Sequence, residues 1–222
     1  MFAHAFFLDR PLPFAEGVAL QERLADARAR DAIPDTVLFL EHTPVVTLGA
    51  RGRTAHLKLS REELAARGIE LAPASRGGDV TYHGPGQLVM YPILKLGARE
   101  ADAHGYLFNL EEVGLRTAAD FGVAARRRAG LNGIWTDAGK LAAIGFRIRR
   151  WVTMHGMSFN VDPDLAGFQT IVPCGLREPV TSLRALLGGR GPDLPAVRDR
   201  MAFHFGAVFQ RPLSIRAGVP PP

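Results

Sequence analysis

Short runs rich in β-branched and aromatic residues follow one another through this chain with turns, not helices, between them, and this order restricts the fold more than any other feature. Thr36 to Glu41 and Val45 to Leu48 read as two strands joined by a tight connection at His42, Thr43 and Pro44. Gly77 to Leu96 reads as a glycine- and proline-rich loop followed by a strand from Leu88 to Leu94. Gly133 to Trp135 and Lys140 to Arg150 read as strands about a turn at Asp137, Ala138 and Gly139. Strands that succeed one another directly do not build a strictly alternating βαβ fold, so the expected class is α+β, a mixed sheet with helices packed on it.

The helices are punctuated more clearly. Phe14, Val18 and Leu24 fall near helical spacing behind Pro11 and Pro13, over residues 14 to 30. Ser60 stands three residues before Glu63, the spacing of a capping box, and Gly68 is placed to stop that helix. Longer helices are expected from Asp102 to Phe121, from Thr181 to Leu187, and from Leu194 to Val208, where Leu194, Val197, Met201, Phe205 and Val208 form one stripe. No fixed-period repeat and no composition break marks a linker, so residues 1 to 222 are expected to form a single domain, with Val219 to Pro222 a frayed tail.

With 47% hydrophobic residues, 222 positions are enough to bury one sizeable core, and no apolar run reaches the roughly 20 residues that span a bilayer. The apolar stretch from Phe2 to Leu8 is interrupted by His4 and runs into Asp9 and Arg10, unlike a signal-peptide core. A single cysteine makes no internal disulfide, so a thiol in a reducing cytoplasm is expected. The net charge of +5 rests on arginine, because only Lys58, Lys95 and Lys140 are lysines among 27 basic residues. Nucleic acid is not an expected partner: the basic runs at Arg126 to Arg128 and at Arg147, Arg149 and Arg150 come without a recognition helix, zinc spacing or aromatic RNA-binding signature. No membrane partner is expected either, and the seven histidines show no paired spacing that would hold a metal.

Two stretches carry more glycine and more reactive side chains than a core needs. The first is Arg76, Gly77, Gly78, Asp79, Val80, Thr81, Tyr82, His83, Gly84, Pro85, Gly86, Gln87, whose glycines let backbone approach a ligand and leave N–H groups to hold an oxygen. It lacks the lysine spacing of a P-loop. The second runs from Lys140 through Ala143, Ile144 and Gly145 to Thr153, His155, Gly156 and Asn160, and on to Pro173, Cys174 and Gly175.

A lone cysteine is usually a small buried hydrophobe. Pro173 and Gly175 instead put Cys174 in a constrained turn, where side chains meet ligands. A free thiol is only a few per cent thiolate at neutral pH, so a nucleophile needs a cation or base beside it. Lys140, 34 positions away (174 minus 140), is the first candidate: where arginine supplies nearly every positive charge, a lysine marks a cation that can also lose its proton. His83 and His155, each followed by a glycine, are rivals for the role of base.

The runs RGGDVTYHGPGQLVMYPI (76 to 93), KLAAIGFRIRRWVTMHGMSFNVDPDL (140 to 165) and IVPCGL (171 to 176) closely resemble the bacterial lipoyl(octanoyl) transferases, and LEHTPVVTLGARG (40 to 52) resembles them more weakly. The resemblance covers residues 36 to 183 and implies a fold of the biotin and lipoate protein ligase type. It implies transfer of an octanoyl group from octanoyl-acyl carrier protein to a lysine of a lipoyl domain, on the E2 subunits of 2-oxoacid dehydrogenases and on the glycine cleavage H protein. By the same resemblance Cys174 carries the acyl group as a thioester, and Lys140 lowers its pKa and moves protons. The acyl pocket is lined by Arg76 to His83, by Ala143, Ile144 and Gly145, and by Gly156, Met157 and Ser158. Ser158 and Phe159 stand where Ala and Leu are commoner, and Leu176 where Ile is. A thioester converts to an amide downhill, so no cofactor is expected. The rivals are an ATP-dependent lipoate or biotin ligase, an amidotransferase between lipoyl domains, and a non-catalytic acyl-binding module.

Overall fold

The structure is a computed structural model that describes residues 2–172 and 178–220. Eight strands form one sheet among the described residues: β1 (Ala3–Phe7), β2 (Asp35–Leu40), β6 (Gln87–Ile93), β7 (Arg126–Arg128), β8 (Leu131–Thr136), β9 (Gly139–Arg149), β10 (Val152–Asn160) and β11 (Leu213–Ala217). Their order is β11-β1-β2-β6-β10-β9-β8-β7, with β1 parallel to both neighbours and the remaining pairs antiparallel. A second sheet has the order β4-β3-β5, from β3 (Val45–Leu48), β4 (Glu70–Pro73) and β5 (Val80–His83).

The large sheet is covered on both faces, and the period of two along each strand divides its side chains between them. Val37, Phe39, Met90, Ile134, Met157 and Phe159 form one core with Leu110 and Val113 of α3 (Ala103–Asp120) and with Val197, Met201 and Phe205 of α5 (Leu194–Val208). Leu38, Leu40, Val89, Tyr91, Val152 and Met154 pack with Leu20 and Leu24 of α1 (Phe14–Ala29). Every residue of β2, β6 and β10 is buried. Each large apolar side chain buried here contributes about 1.5–3 kcal/mol. A smaller core of Val46, Leu64, Val80, Tyr82, Phe168 and Ile171 holds the second sheet to α2 (Arg61–Ala66).

Most expected helices form close to the limits read from sequence. Ser60 Oγ accepts the Glu63 N–H at 3.2 Å and Glu63 Oε2 accepts the Ser60 N–H at 2.7 Å, completing the capping box. The helix expected over 181 to 187 is shorter, α4 (Leu183–Leu186), because Ser182 caps it by accepting the Ala185 N–H. The strands differ more. β2 and β3 are not a tightly joined pair but belong to different sheets, and β5 forms inside the stretch read as a loop. β1, β4, β7, β10 and β11 are further strands that the sequence pattern did not announce. Of the tail, Val219 is exposed and Pro220 buried.

Arg211 is fully buried where β11 begins. Its guanidinium meets Asp35 at 2.7 Å and clasps Glu100 at 2.7 and 2.8 Å, while Asp35 also takes Arg28 at 2.6 Å. A guanidinium out of water is stable only when paired in this way.

Candidate active site

A cleft opens where the small sheet faces β9 and β10. It encloses about 750 Å³, its mouth included. One wall is the ladder of β9 with β10, in which Ala143 pairs with Ser158, Ile144 with Met157 and Gly145 with Gly156. The facing wall is residues 76 to 83. The loop before β5 is tied to both sheets, because Gly77 donates to the Phe146 carbonyl at 2.9 Å while Ala50 and Arg51 donate to the carbonyls of Arg76 and Gly78 at 2.9 and 3.0 Å. This closeness explains two glycines. A Cβ on Gly145 would stand 2.7 Å from the Gly77 oxygen, and Gly78 takes φ +90°, where other residues are strained. Arg76 is buried beneath the loop and donates to the Thr47 carbonyl at 2.8 Å, the Thr47 hydroxyl at 2.7 Å and the Gly77 carbonyl at 3.1 Å.

Lys140 stands at the start of β9. Its backbone N–H donates to the Pro179 carbonyl at 2.9 Å, its carbonyl accepts from Thr181 at 3.0 Å, and it bridges Val180. The ammonium lies 4.9 Å from the centre of the Trp135 ring, a favourable distance for a cation over an aromatic face. Cys174, together with Pro173, Gly175 and Leu176, lies outside the described residues. On one side of that segment Val172 donates to the His56 carbonyl at 2.8 Å, and on the other Val180 lines the cleft.

Behind the wall lies a chain of buried polar groups. Asn160 donates to the Thr181 carbonyl at 2.9 Å, and Gln87 donates to Asn160 Oδ1 at 2.9 Å. The amide of Gln87 is oriented by that bond, so its oxygen accepts from His83 Nδ1 at 2.6 Å, which puts the His83 proton on Nδ1. Similarly, His42 Nδ1 donates to the Leu12 carbonyl at 2.8 Å and its Nε2 accepts the Tyr91 hydroxyl at 2.7 Å. Burial, and then the proximity of His42, push His83 down to about 3; burial alone drives His42 to about 4. Histidines with so little proton affinity are poor bases at neutral pH.

His155 departs from the regularity of its strand. Alternation along β10 would send its ring with Met157 toward α3, but φ is +58°, and the ring stands instead beside Tyr91, 5.9 Å between centres, on the cleft side. A left-handed non-glycine residue costs about 1–2 kcal/mol. Its N–H, turned away from the ladder opposite Pro92, donates to Gln21 Oε1 at 2.6 Å. Burial, then Arg76 and Arg147, lowers its pKa to about 3.

Of the residues expected to touch substrate, Arg76, Gly77, Gly78, Val80, Thr81, His83, Lys140, Ala143, Ile144, Gly145, Gly156, Met157 and Ser158 all line the cleft. Asp79 and Tyr82 do not. Asp79 is turned to the other side of the loop, where it accepts the Arg53 N–H at 3.1 Å and pairs with His56. Tyr82 alternates away from Thr81 and His83 and packs on Phe168, 5.3 Å between ring centres. Phe14, Val89, Tyr91, Phe168 and Val180 line the cleft without having been singled out, since in sequence they are ordinary core residues. Among the described residues, no group of three or more His, Cys, Asp or Glu side chains is arranged to hold a metal ion, and no helix is long and apolar enough to cross a membrane.

A crystal structure of lipoate-protein ligase A bound with ATP superposes with a TM-score of 0.77, covering 98% of this chain and 90% of that one at 17% identity. The biotin protein ligase of Aquifex aeolicus superposes with a TM-score of 0.54, covering 95% of this chain and 70% of that one at 12% identity. These likenesses show the fold, that of the biotin and lipoate protein ligases. Sequence similarity is much closer to the octanoyltransferase of Geobacter metallireducens, 51% identical over 195 residues that cover 87% of this chain and 88% of that protein. The profile of the lipoyl protein ligase A/B catalytic domain matches residues 13–206. The chain belongs to the lipoyl protein ligase A/B catalytic-domain family and, within it, to the octanoyltransferases, which are acyltransferases.

Proposed function

We propose that this protein transfers an octanoyl group from octanoyl-acyl carrier protein to a specific lysine of lipoyl domains through a thioester on Cys174. The observation that carries the reading is the position of Lys140 at one end of a cleft whose walls include the apolar Val80, Ala143, Ile144 and Met157. Each methylene of an acyl chain buried there contributes about 0.8 kcal/mol.

In the first half-reaction the Cys174 thiol gives its proton to Lys140, and the thiolate attacks the carbonyl carbon of the carrier thioester. The bond from that carbon to the carrier sulfur breaks, and the departing sulfur takes the proton from Lys140. In the second, the lysine amine of the lipoyl domain attacks the acyl-enzyme, the carbon–sulfur bond to Cys174 breaks, and the proton lost by the amine returns through Lys140 to the cysteine. Lowering a thiol pKa by about two units takes roughly 2.7 kcal/mol. A unit charge about 4 Å away supplies up to about 4 kcal/mol at an effective dielectric near 20, so one lysine suffices. The thiol mechanism requires a reducing compartment. The acceptors are the lipoyl domains of 2-oxoacid dehydrogenase E2 subunits and the glycine cleavage H protein, and the reaction is the first step of endogenous protein lipoylation.

Intact-mass measurement after incubation with octanoyl-acyl carrier protein is expected to show one added octanoyl group, chased onto a lipoyl domain. Persistence of the adduct in Cys174→Ala would sink the thioester. Attachment of free octanoate by Cys174→Ala in the presence of ATP would make the protein a ligase, and faster transfer from an octanoylated lipoyl domain than from the carrier would make it an amidotransferase.

A further inference from the structure

Along the β9–β10 ladder the cleft extends from Lys140 to the Gly145–Gly156 pair, and His155 of the next pair closes the end opposite the lysine, while its partner Phe146 packs on Tyr106 on the other face of the sheet. The left-handed backbone of His155 is what brings its ring into that end wall. The residue is 1% exposed, Ser75 Oγ holds Nε2 at 3.0 Å, and Nδ1 has no hydrogen-bond partner among the described residues. Arg76 is buried beside it and lines the same end. An apolar cleft thus finishes in a wall of desolvated polar atoms.

We propose that His155 sets the upper limit on the length of the acyl group. With the carbonyl held at the Lys140 end, which rests on the acyl-transfer reading above, the methyl end of the chain points at this wall. A chain of the accepted length stops short of the imidazole. A longer chain drives methylene groups against an imidazole that Ser75 Oγ holds at Nε2 and against the Arg76 guanidinium held by Thr47, and neither group gives way without losing its hydrogen bonds inside a dry wall. His155 acts here on specificity and takes no part in proton transfer.

The test compares kcat/KM for hexanoyl-, octanoyl-, decanoyl- and dodecanoyl-acyl carrier protein in the unaltered protein, in His155→Gly and in His155→Asn. Glycine and asparagine both accept φ near +58°, so neither substitution disturbs the strand. The unaltered protein is expected to lose efficiency beyond octanoyl. His155→Gly is expected to raise the decanoyl-to-octanoyl ratio by roughly 15-fold, about four-fold for each methylene newly buried. His155→Asn keeps a polar group on a shorter side chain and raises the ratio less. Loosening of the fold alone lowers all four substrates together and leaves the ratio unmoved. An unchanged ratio in both variants, or a flat length profile in the unaltered protein, overturns the gauge while leaving the acyl-transfer reading intact. Absence of any acyl adduct on the unaltered protein with all four donors overturns that reading itself.

Discussion

Against α3 and α5 the large sheet presents Val37, Phe39, Met90, Ile134 and Phe159, all essentially without solvent contact; against α1 and the small sheet, the same strands present Leu38, Val89 and Tyr91 and then His155, Gly156 and Ser158. The first face is closed by apolar packing. The second buries His42, His83, His155, Arg76 and Gln21, groups whose removal from water opposes folding. One surface of the sheet therefore supplies stability in excess, and the other uses some of it to keep a polar, preorganised cleft.

Acid should separate the faces most strongly. The three histidines have folded pKa values of about 3 to 4 against about 6.5 when unfolded, so the unfolded chain binds more protons below pH 6.5. Their effect is absent above that pH, and stability falls as pH drops from about 6.5 toward 4 for His42 and toward 3 for His83 and His155, by about 2 kcal/mol per histidine at pH 5. Urea midpoints at pH 7.5, 6 and 5 measure this. The ion-paired carboxyls of Glu100, Glu112 and Asp120, held low mainly by Arg211, Arg127 and Arg200, lose their contribution only at lower pH. A midpoint that stays constant to pH 5 would mean that the cleft face is not the protonation-sensitive one.

Leu110→Ala, on the apolar face, is expected to lower unfolding free energy by about 2–5 kcal/mol while the folded fraction keeps its acyl-transfer rate. Lys140→Met should do the reverse, slowing acyl-enzyme formation about 25-fold at pH 7, the fall in thiolate fraction when the thiol pKa returns from about 6.5 to about 8.5, with thermal unfolding little changed. Alkylation of Cys174 followed against pH reads that shift directly. The smallest effect belongs to neither face: Ser60→Ala removes a cap from the exposed helix α2 and should cost about 1 kcal/mol with no change in transfer.

The same division explains what the sequence made visible. α5 lies where its periodicity places it, because its buried Val197, Met201 and Phe205 alternate with exposed positions, and β3 was legible as a β-branched run set off by Pro44 and Gly49. β10 was hidden: β2 and β6 are as fully buried but show continuous apolar runs, whereas β10 is interrupted by the histidine, glycine, serine and asparagine of the cleft. β5 was masked by its glycine neighbours, and the edge strands β7 and β11 are too short or too polar to signal themselves. The cleft was easier to read than the sheet that carries it, because glycines and reactive side chains stand out from a core whereas Phe14, Val89 and Tyr91 do not. The outward turns of Asp79 and Tyr82 depend on loop geometry and strand register, which no local pattern encodes.

The parallel pairing of β1 with β11 sets the order in which the sheet can assemble. Ala3 meets Leu213, a separation of 210 positions (213 minus 3). Strands as close in sequence as β9 and β10 form a hairpin quickly, whereas closing so long a loop comes late and slows folding. During synthesis β1 can pair with β2 long before its second neighbour has left the ribosome, so one edge of β1 waits unpaired, and the ion cluster of Arg211 with Asp35 and Glu100 then locks the late strand in place.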